Sequence, residues 1–202
     1  MRHPSTSNLM PLITPNPIET SRLLVRLFTE SDLPALMEVN GDDAVTRYVP
    51  YPTWQSLDDA KAWFKRMSDL QAVDKALQFV VTTKTTGKAI GTCLLFHFDD
   101  IAARAELGYV LGQAHWGQGY MREALTALIN FAFDQMSLRT LDATVDVRNV
   151  RSIRLLQRLG FVDAELPHHH DVIKGEATEA EIYRLNKQVW SPRTVARPIK
   201  PR

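Results

Sequence analysis

Residues 111–124 read LGQAHWGQGYMREA. An apolar run over 107–111 leads into this stretch. The loop carries Gly112, Gly117 and Gly119. Behind it, residues 120–134 place Leu125, Leu128, Ile129, Ala132 and Phe133 at helical spacing. The order is therefore strand, glycine loop, helix start. Such a junction aims several backbone N–H groups at one point, and the helix dipole adds positive potential there. Glycine is required where the backbone takes φ > 0 or comes close to a ligand. Two readings follow from these residues: an anion site for the pyrophosphate of a nucleotide cofactor, or an ordinary strand–turn–helix whose glycines serve the turn.

Upstream, residues 1–20 hold Pro4, Pro11, Pro15 and Pro17 among Ser, Thr and Asn and are expected to form an extended arm. Residues 22–28 alternate basic and apolar side chains and read as the first strand. Ser31 is expected to cap a helix through Leu33, Leu36, Met37 and Val39 that ends near Gly41. Residues 42–54 form an aromatic-rich loop or short helix with Tyr48, Tyr51 and Trp54, which line a substrate entrance or pin two helices together. Ser56 and Asp59 open a helix expected to bury Leu57, Ala60, Trp63, Phe64, Met67 and Leu70. Strands over 77–83 and 89–98 are joined by a hairpin containing Gly87, and a further strand spans 104–111. After the central helix come a strand over 139–147, a helix over 150–159 ending at Gly160, an ill-defined stretch between 161 and 173, and a last strand over 179–189. The pattern predicts an α/β (α+β) domain over 21–190, with a mixed, mostly antiparallel central sheet flanked by helices. Residues 191–202 form a basic tail carrying Arg193, Arg197, Lys200 and Arg202.

The 202 residues carry 24 basic and 23 acidic side chains, so no global charge argues for nucleic acid or an acidic partner. The single cysteine, Cys93, excludes an internal disulfide and sits in an apolar run, as a small core residue would. No stretch approaches the roughly 20 apolar residues of a membrane span, and no apolar signal segment opens the chain, so a cytoplasmic protein is expected. His168, His169 and His170 alternate faces in an extended segment, so no metal is expected there.

Two motifs carry a resemblance. Residues 105–125 read AELGYVLGQAHWGQGYMREAL and residues 146–161 read DVRNVRSIRLLQRLGF. Their order and separation resemble the GCN5-related N-acetyltransferase (GNAT) family, in particular the branch that acetylates N-terminal alanines of ribosomal proteins. The likeness spans residues 22 to 186. It implies acetyl-CoA as cosubstrate and an amine acceptor: a protein N-terminus, or alternatively a small amine such as a polyamine or aminoglycoside. A non-catalytic acyl-CoA-binding module is the remaining alternative. No membrane or nucleic-acid partner is expected, and a homodimer is left open.

The resemblance further implies that Tyr109, Val110, Leu111, Trp116, Gly117, Gln118, Gly119, Tyr120, Met121, Arg122, Asn149 and Ser152 contact the cofactor, with a splayed-strand N–H near Val110 facing the acetyl group. Trp116 and Tyr120 also read as packing residues, and Asn149 as a helix N-cap. Arg122 opposes the helix dipole in the first turn, which makes sense if it meets a phosphate. The chemistry needs a neutral amine, a base and a proton for the thiolate. Glu106 is the candidate base, with a solvated strand charge paired to Arg104 as the other reading. Ser152 is a candidate partner of the thiolate or cofactor, against an exposed first-turn serine. The chain departs from the family at two positions. Ala114 stands where the loop usually begins with Gln or Arg, and Leu156 stands where many members have a tyrosine acid. Leucine donates no proton, so that acid is excluded here.

Overall fold

The computed structural model describes residues 15–191. The basic tail and most of the N-terminal arm lie outside the described residues. Five strands precede the central helix: β1 (Ile18–Glu19), β2 (Leu23–Leu27), β3 (Ala76–Thr83), β4 (Ala89–Asp99) and β5 (Arg104–Leu111). Between β2 and β3 lie α1 (Leu33–Asn40), the single turn α2 (Asp43–Thr46) and α3 (Leu57–Ala72). The central helix α4 (Tyr120–Asp134) is followed by β6 (Thr140–Asp146), α5 (Val150–Arg158), β7 (Val162–Asp163), β8 (His169–Ile173) and β9 (Glu176–Asn186).

The sheet runs β1-β2-β3-β4-β5-β6-β9-β7, with β8 also on β9. Every pair is antiparallel except β5–β6. α4 and α5 cover one face through Leu125, Leu128, Phe133 and Leu156, which pack on Phe79, Leu95, Leu107 and Leu141. α1 and α3 cover the other through Leu36 and Trp63 on Val80, joined by Trp54 from the segment leading into α3. Burial of these side chains is the main favourable term for the fold. Cys93 is fully buried, which pushes its thiol pKa up, as the core reading requires.

Four expectations are corrected. The arm's last residues, Ile18 and Glu19, are a strand on β2; Pro15 and Pro17 mark extended chain, but only the partner strand makes it sheet. Thr29, not Ser31, caps the turn leading into α1, in a reciprocal box with Asp32. Leu57, at the first position of α3, is 44% exposed, while Ala60, Trp63 and Met67 are buried as expected. The stretch after α5 is ordered as β7, β8 and β9. Lys174 and Gly175 both take positive φ (55° and 81°) between β8 and β9, the geometry of a two-residue hairpin turn.

Candidate active site

β5 and β6 pair only from Arg104↔Thr140 to Glu106↔Asp142. Beyond that point the two strands diverge, while β5 stays paired to β4 up to Leu111. The sheet therefore opens into a V whose root is Glu106. Gly112 N–H donates to Ile90 O at 2.8 Å. Strand alternation then turns the N–H of Val110 toward β4, and those of Tyr109 and Leu111 into the V. The donors facing the opening are thus the neighbours of Val110, not Val110 itself.

The glycine loop closes the wide end. Gly117 and Gly119 have φ of 74° and 79°, where a side chain would be strained, and Gly119 is the N-cap of α4. Among the described residues, no side chain caps this helix, and the N–H groups from Gly117 to Arg122 donate to no protein acceptor. A run of free donors at the positive end of a fifteen-residue helix fits a pyrophosphate. Met121 is corrected on one point: its side chain is core, beside the Cys93 sulfur, so only its backbone faces the loop. The Arg122 guanidinium has no hydrogen-bond or ion-pair partner among the described residues, while its backbone carbonyl accepts from the Thr126 hydroxyl at 2.7 Å. Gln118 bonds back to Ala114 O at 2.9 Å and braces the loop.

Trp116 donates its indole N–H to Leu111 O at 2.7 Å, fixing the loop to the end of β5. The Arg151 guanidinium lies over its ring at 4.6 Å, tying the loop to α5. Tyr120 lies beneath the Arg22 guanidinium at 4.3 Å. Arg22 also donates to Gln118 O at 3.0 Å and to Glu123 at 2.7 Å. Glu123 accepts from Thr20, Ser21 and the Arg22 N–H as well. Burial opposes its ionised form, but these donors outweigh it and hold its pKa below the ordinary value. Nothing in the sequence signals this clamp, because its two sides lie 101 residues apart.

Across the V, Tyr109 on β5 meets Ser152 on α5, hydroxyl to hydroxyl at 2.7 Å. Burial pushes the Tyr109 pKa up, so its phenol stays protonated. Asn149 caps α5 by accepting from Ser152 N–H at 3.2 Å, and its amide NH₂ has no hydrogen-bond partner among the described residues. Leu156 is fully buried in the core, far from the role a tyrosine there would have.

Glu106 projects from the opposite face, in a row with Phe96, Asp142 and Arg184 set by register. Its partner is His97, whose Nδ1 lies 2.9 Å from Oε2; Arg104 instead reaches Asp99 and Asp142. Asp142 is held by Arg184 at 2.7 and 2.8 Å. Farther up the V, the Arg148 guanidinium on Asp146 holds that carboxyl below its ordinary pKa.

Two segments flank this face. α2 packs on β5, and Tyr48 lies 5.8 Å from the Arg148 guanidinium. The β8–β9 tip crosses to it: Lys174 Nζ bonds Thr46 O at 2.5 Å. Together they border an open pocket of about 490 Å³ lined by Asp43, Tyr51, Pro52, Thr53 and Lys174. Trp54 is buried on Trp63 and serves the helix pair, not the opening. His168 bonds Glu179, and no cluster among the described residues could hold a metal ion. No helix among them is long and apolar enough to cross a membrane.

Residues 22–162 match the acetyltransferase (GNAT) domain family. The chain is similar to p20, an uncharacterized N-acetyltransferase of Bacillus licheniformis, with 31% identity over 172 residues covering 85% of this chain and 97% of that one. It is 26% identical to the [ribosomal protein uS5]-alanine N-acetyltransferase of Escherichia coli, covering 87% of this chain and 93% of the relative. In fold it is similar to spermidine N-acetyltransferase of Vibrio cholerae, solved with CoA and spermine. That match has a TM-score of 0.72 and 20% identity, over 84% of this chain and 98% of the other. A split sheet, a donor-rich glycine loop and a family match spanning both motifs converge on one conclusion: this chain belongs to the GNAT family and is an acetyl-CoA-dependent N-acetyltransferase.

Proposed function

We propose that the acceptor is the α-amine of a protein N-terminus. The observation that carries this is the state of the acids on the acceptor face. Of the carboxylates on β5 and β6 at this face, Asp142 is matched to Arg184, Asp146 to Arg148, and Glu106 faces His97, a partner that can be uncharged. A polyamine carries several cations and needs several unmatched carboxylates. A peptide N-terminus brings one amine and an uncharged backbone, which suits a single carboxylate beside an open groove. The similarity to a ribosomal-protein alanine N-acetyltransferase supports the same reading.

The residues then divide the chemistry between the two faces. Glu106, at the root of the V, takes the proton of the attacking amine. The Tyr109 and Leu111 N–H groups stabilise the charge that develops on the thioester oxygen. Ser152, held by Tyr109, donates to the departing thiolate, the task that Leu156 cannot perform. Gly117 to Arg122 bind the pyrophosphate, and Asn149 and Trp116 line the path of the pantetheine arm.

Thiol release from acetyl-CoA, measured with Ala- and Ser-initiated peptides, spermidine and an aminoglycoside, tests the acceptor. The peptides are expected to give the highest kcat/KM. A higher value for spermidine or the aminoglycoside overturns the assignment. Glu106→Gln tests the base: full turnover across pH removes Glu106 from that role.

A further inference from the structure

We infer that His97 is a positioning and proton-exit residue for Glu106, carrying the amine proton from the root of the V to solvent. The inference rests on Glu106 being the base. Its independent support is how the chain delivers the imidazole. β4 pairs regularly with β5 down to Phe96↔Glu106, then breaks register before Asp99↔Arg104. His97 sits in that break with φ of 50°, a left-handed conformation uncommon outside glycine but one histidine adopts more readily than most side chains. A regular strand would have turned residue 97 to the face opposite Phe96 and Glu106. The irregularity brings it round, so that Nδ1 meets Oε2 at 2.9 Å while the Phe96 ring packs 4.4 Å from the imidazole. The side chain of Glu106 is 22% exposed and that of His97 74% exposed, so the pair links a sheltered carboxylate to bulk water.

The surrounding charges leave this as the open route. Asp142, beside Glu106 on β6, is occupied by Arg184 and Arg104. Asp99 on β4 is paired to Arg104. No lysine or arginine bonds Glu106 among the described residues. In the step, the amine nitrogen bonds to the acetyl carbon, the C–S bond breaks, and the nitrogen's proton goes to the Glu106 carboxylate. The imidazole takes that proton at Nδ1 and releases one to water from Nε2.

Two variants keep the backbone unstrained, because Gly and Asn both tolerate φ > 0. His97→Gly removes the ring. His97→Asn keeps a hydrogen-bond donor beside Glu106 but carries no proton. Both are expected to lose roughly tenfold in kcat with little change in the KM for acetyl-CoA, a modest share of what general acid–base groups contribute. Added imidazole should restore His97→Gly in proportion to its concentration, and should not stimulate the unaltered enzyme or Glu106→Gln. If Glu106→Gln is slow but His97→Gly is as fast as the unaltered enzyme, or is slow and unresponsive to imidazole, the role of His97 is overturned while Glu106 stands. If His97→Asn retains full rate, the histidine serves only to orient the carboxylate and proton exit is overturned. Full turnover by Glu106→Gln removes both.

Discussion

Tyr109 and Ser152 join hydroxyl to hydroxyl at 2.7 Å across the opening between β5 and α5. One residue comes from the strand that carries the loop, the other from the first turn of the helix behind it. Their bond spans the place where β5 and β6 no longer pair. Burial keeps the Tyr109 proton on oxygen; when the phenol donates to Ser152, the serine proton is available to the cleft. Tyr109→Phe is expected to lower kcat roughly three- to tenfold, the worth of one hydrogen bond. Ser152→Ala is expected to lower it roughly 10- to 100-fold. The double variant should match Ser152→Ala alone, because the two act as one unit. Steady-state kinetics with a peptide acceptor read all three.

The clamp of Arg22 on Gln118, Tyr120 and Glu123 should matter for the cofactor more than for the chemistry. Arg22→Ala is expected to raise the KM for acetyl-CoA roughly tenfold, from the loss of charge-assisted bonds that set the loop, with kcat within about twofold. Titration of CoA into the variant, followed by calorimetry, checks the binding step directly.

Glu123 adds a pH dependence. Its folded pKa lies below the ordinary 4.5, so the stability it supplies is fully present above that value. It is lost as pH falls through the folded pKa. Glu123→Gln is expected to cost about 1–3 kcal/mol at pH 7, and the difference from the unaltered protein should shrink as the pH is lowered toward 3. Urea unfolding at several pH values measures it.

Leu156 is closed core, not an empty acid site. Leu156→Tyr therefore forces a larger, polar side chain among Phe161 and its neighbours, and should cost about 1–3 kcal/mol in stability. No gain in kcat is expected. Thermal unfolding together with turnover distinguishes this from a restored tyrosine acid, which would raise the rate.

Lys174 ties the β8–β9 tip to α2. Burial lowers its pKa, yet the amine is spent on the Thr46 carbonyl. Lys174→Ala is expected to raise the KM for a peptide acceptor severalfold, about 1 kcal/mol for one lost bond, and to leave the KM for acetyl-CoA unchanged. Equal shifts in both constants would place the hairpin outside acceptor binding.

The sequence by itself determined the parts whose conformation is local. Gly117 and Gly119 announce left-handed backbone, Ser56 with Asp59 announces a helix start, and Gly160 a helix end; each acts within a few residues of itself. Helical spacing in residues 120–134 and strand character in 104–111 were legible for the same reason, and the family resemblance carried by the second motif, Asp146 to Phe161, narrowed the expected ligand of the anion loop to CoA. The Lys174–Gly175 turn was equally local but went unread, because the sequence around it is rich in His and Glu and shows little apolar alternation. Only the tertiary structure decided where β5 leaves β6, since register between strands is set by every contact along both. It alone paired Arg22 with Glu123, Tyr109 with Ser152 and Glu106 with His97. Those contacts join residues brought together by packing rather than by spacing along the chain, and a single sequence carries no local record of them. The loop proposed to hold the cofactor was therefore written in the sequence, whereas the arrangement proposed to move protons at its acetyl end exists only once the sheet has opened.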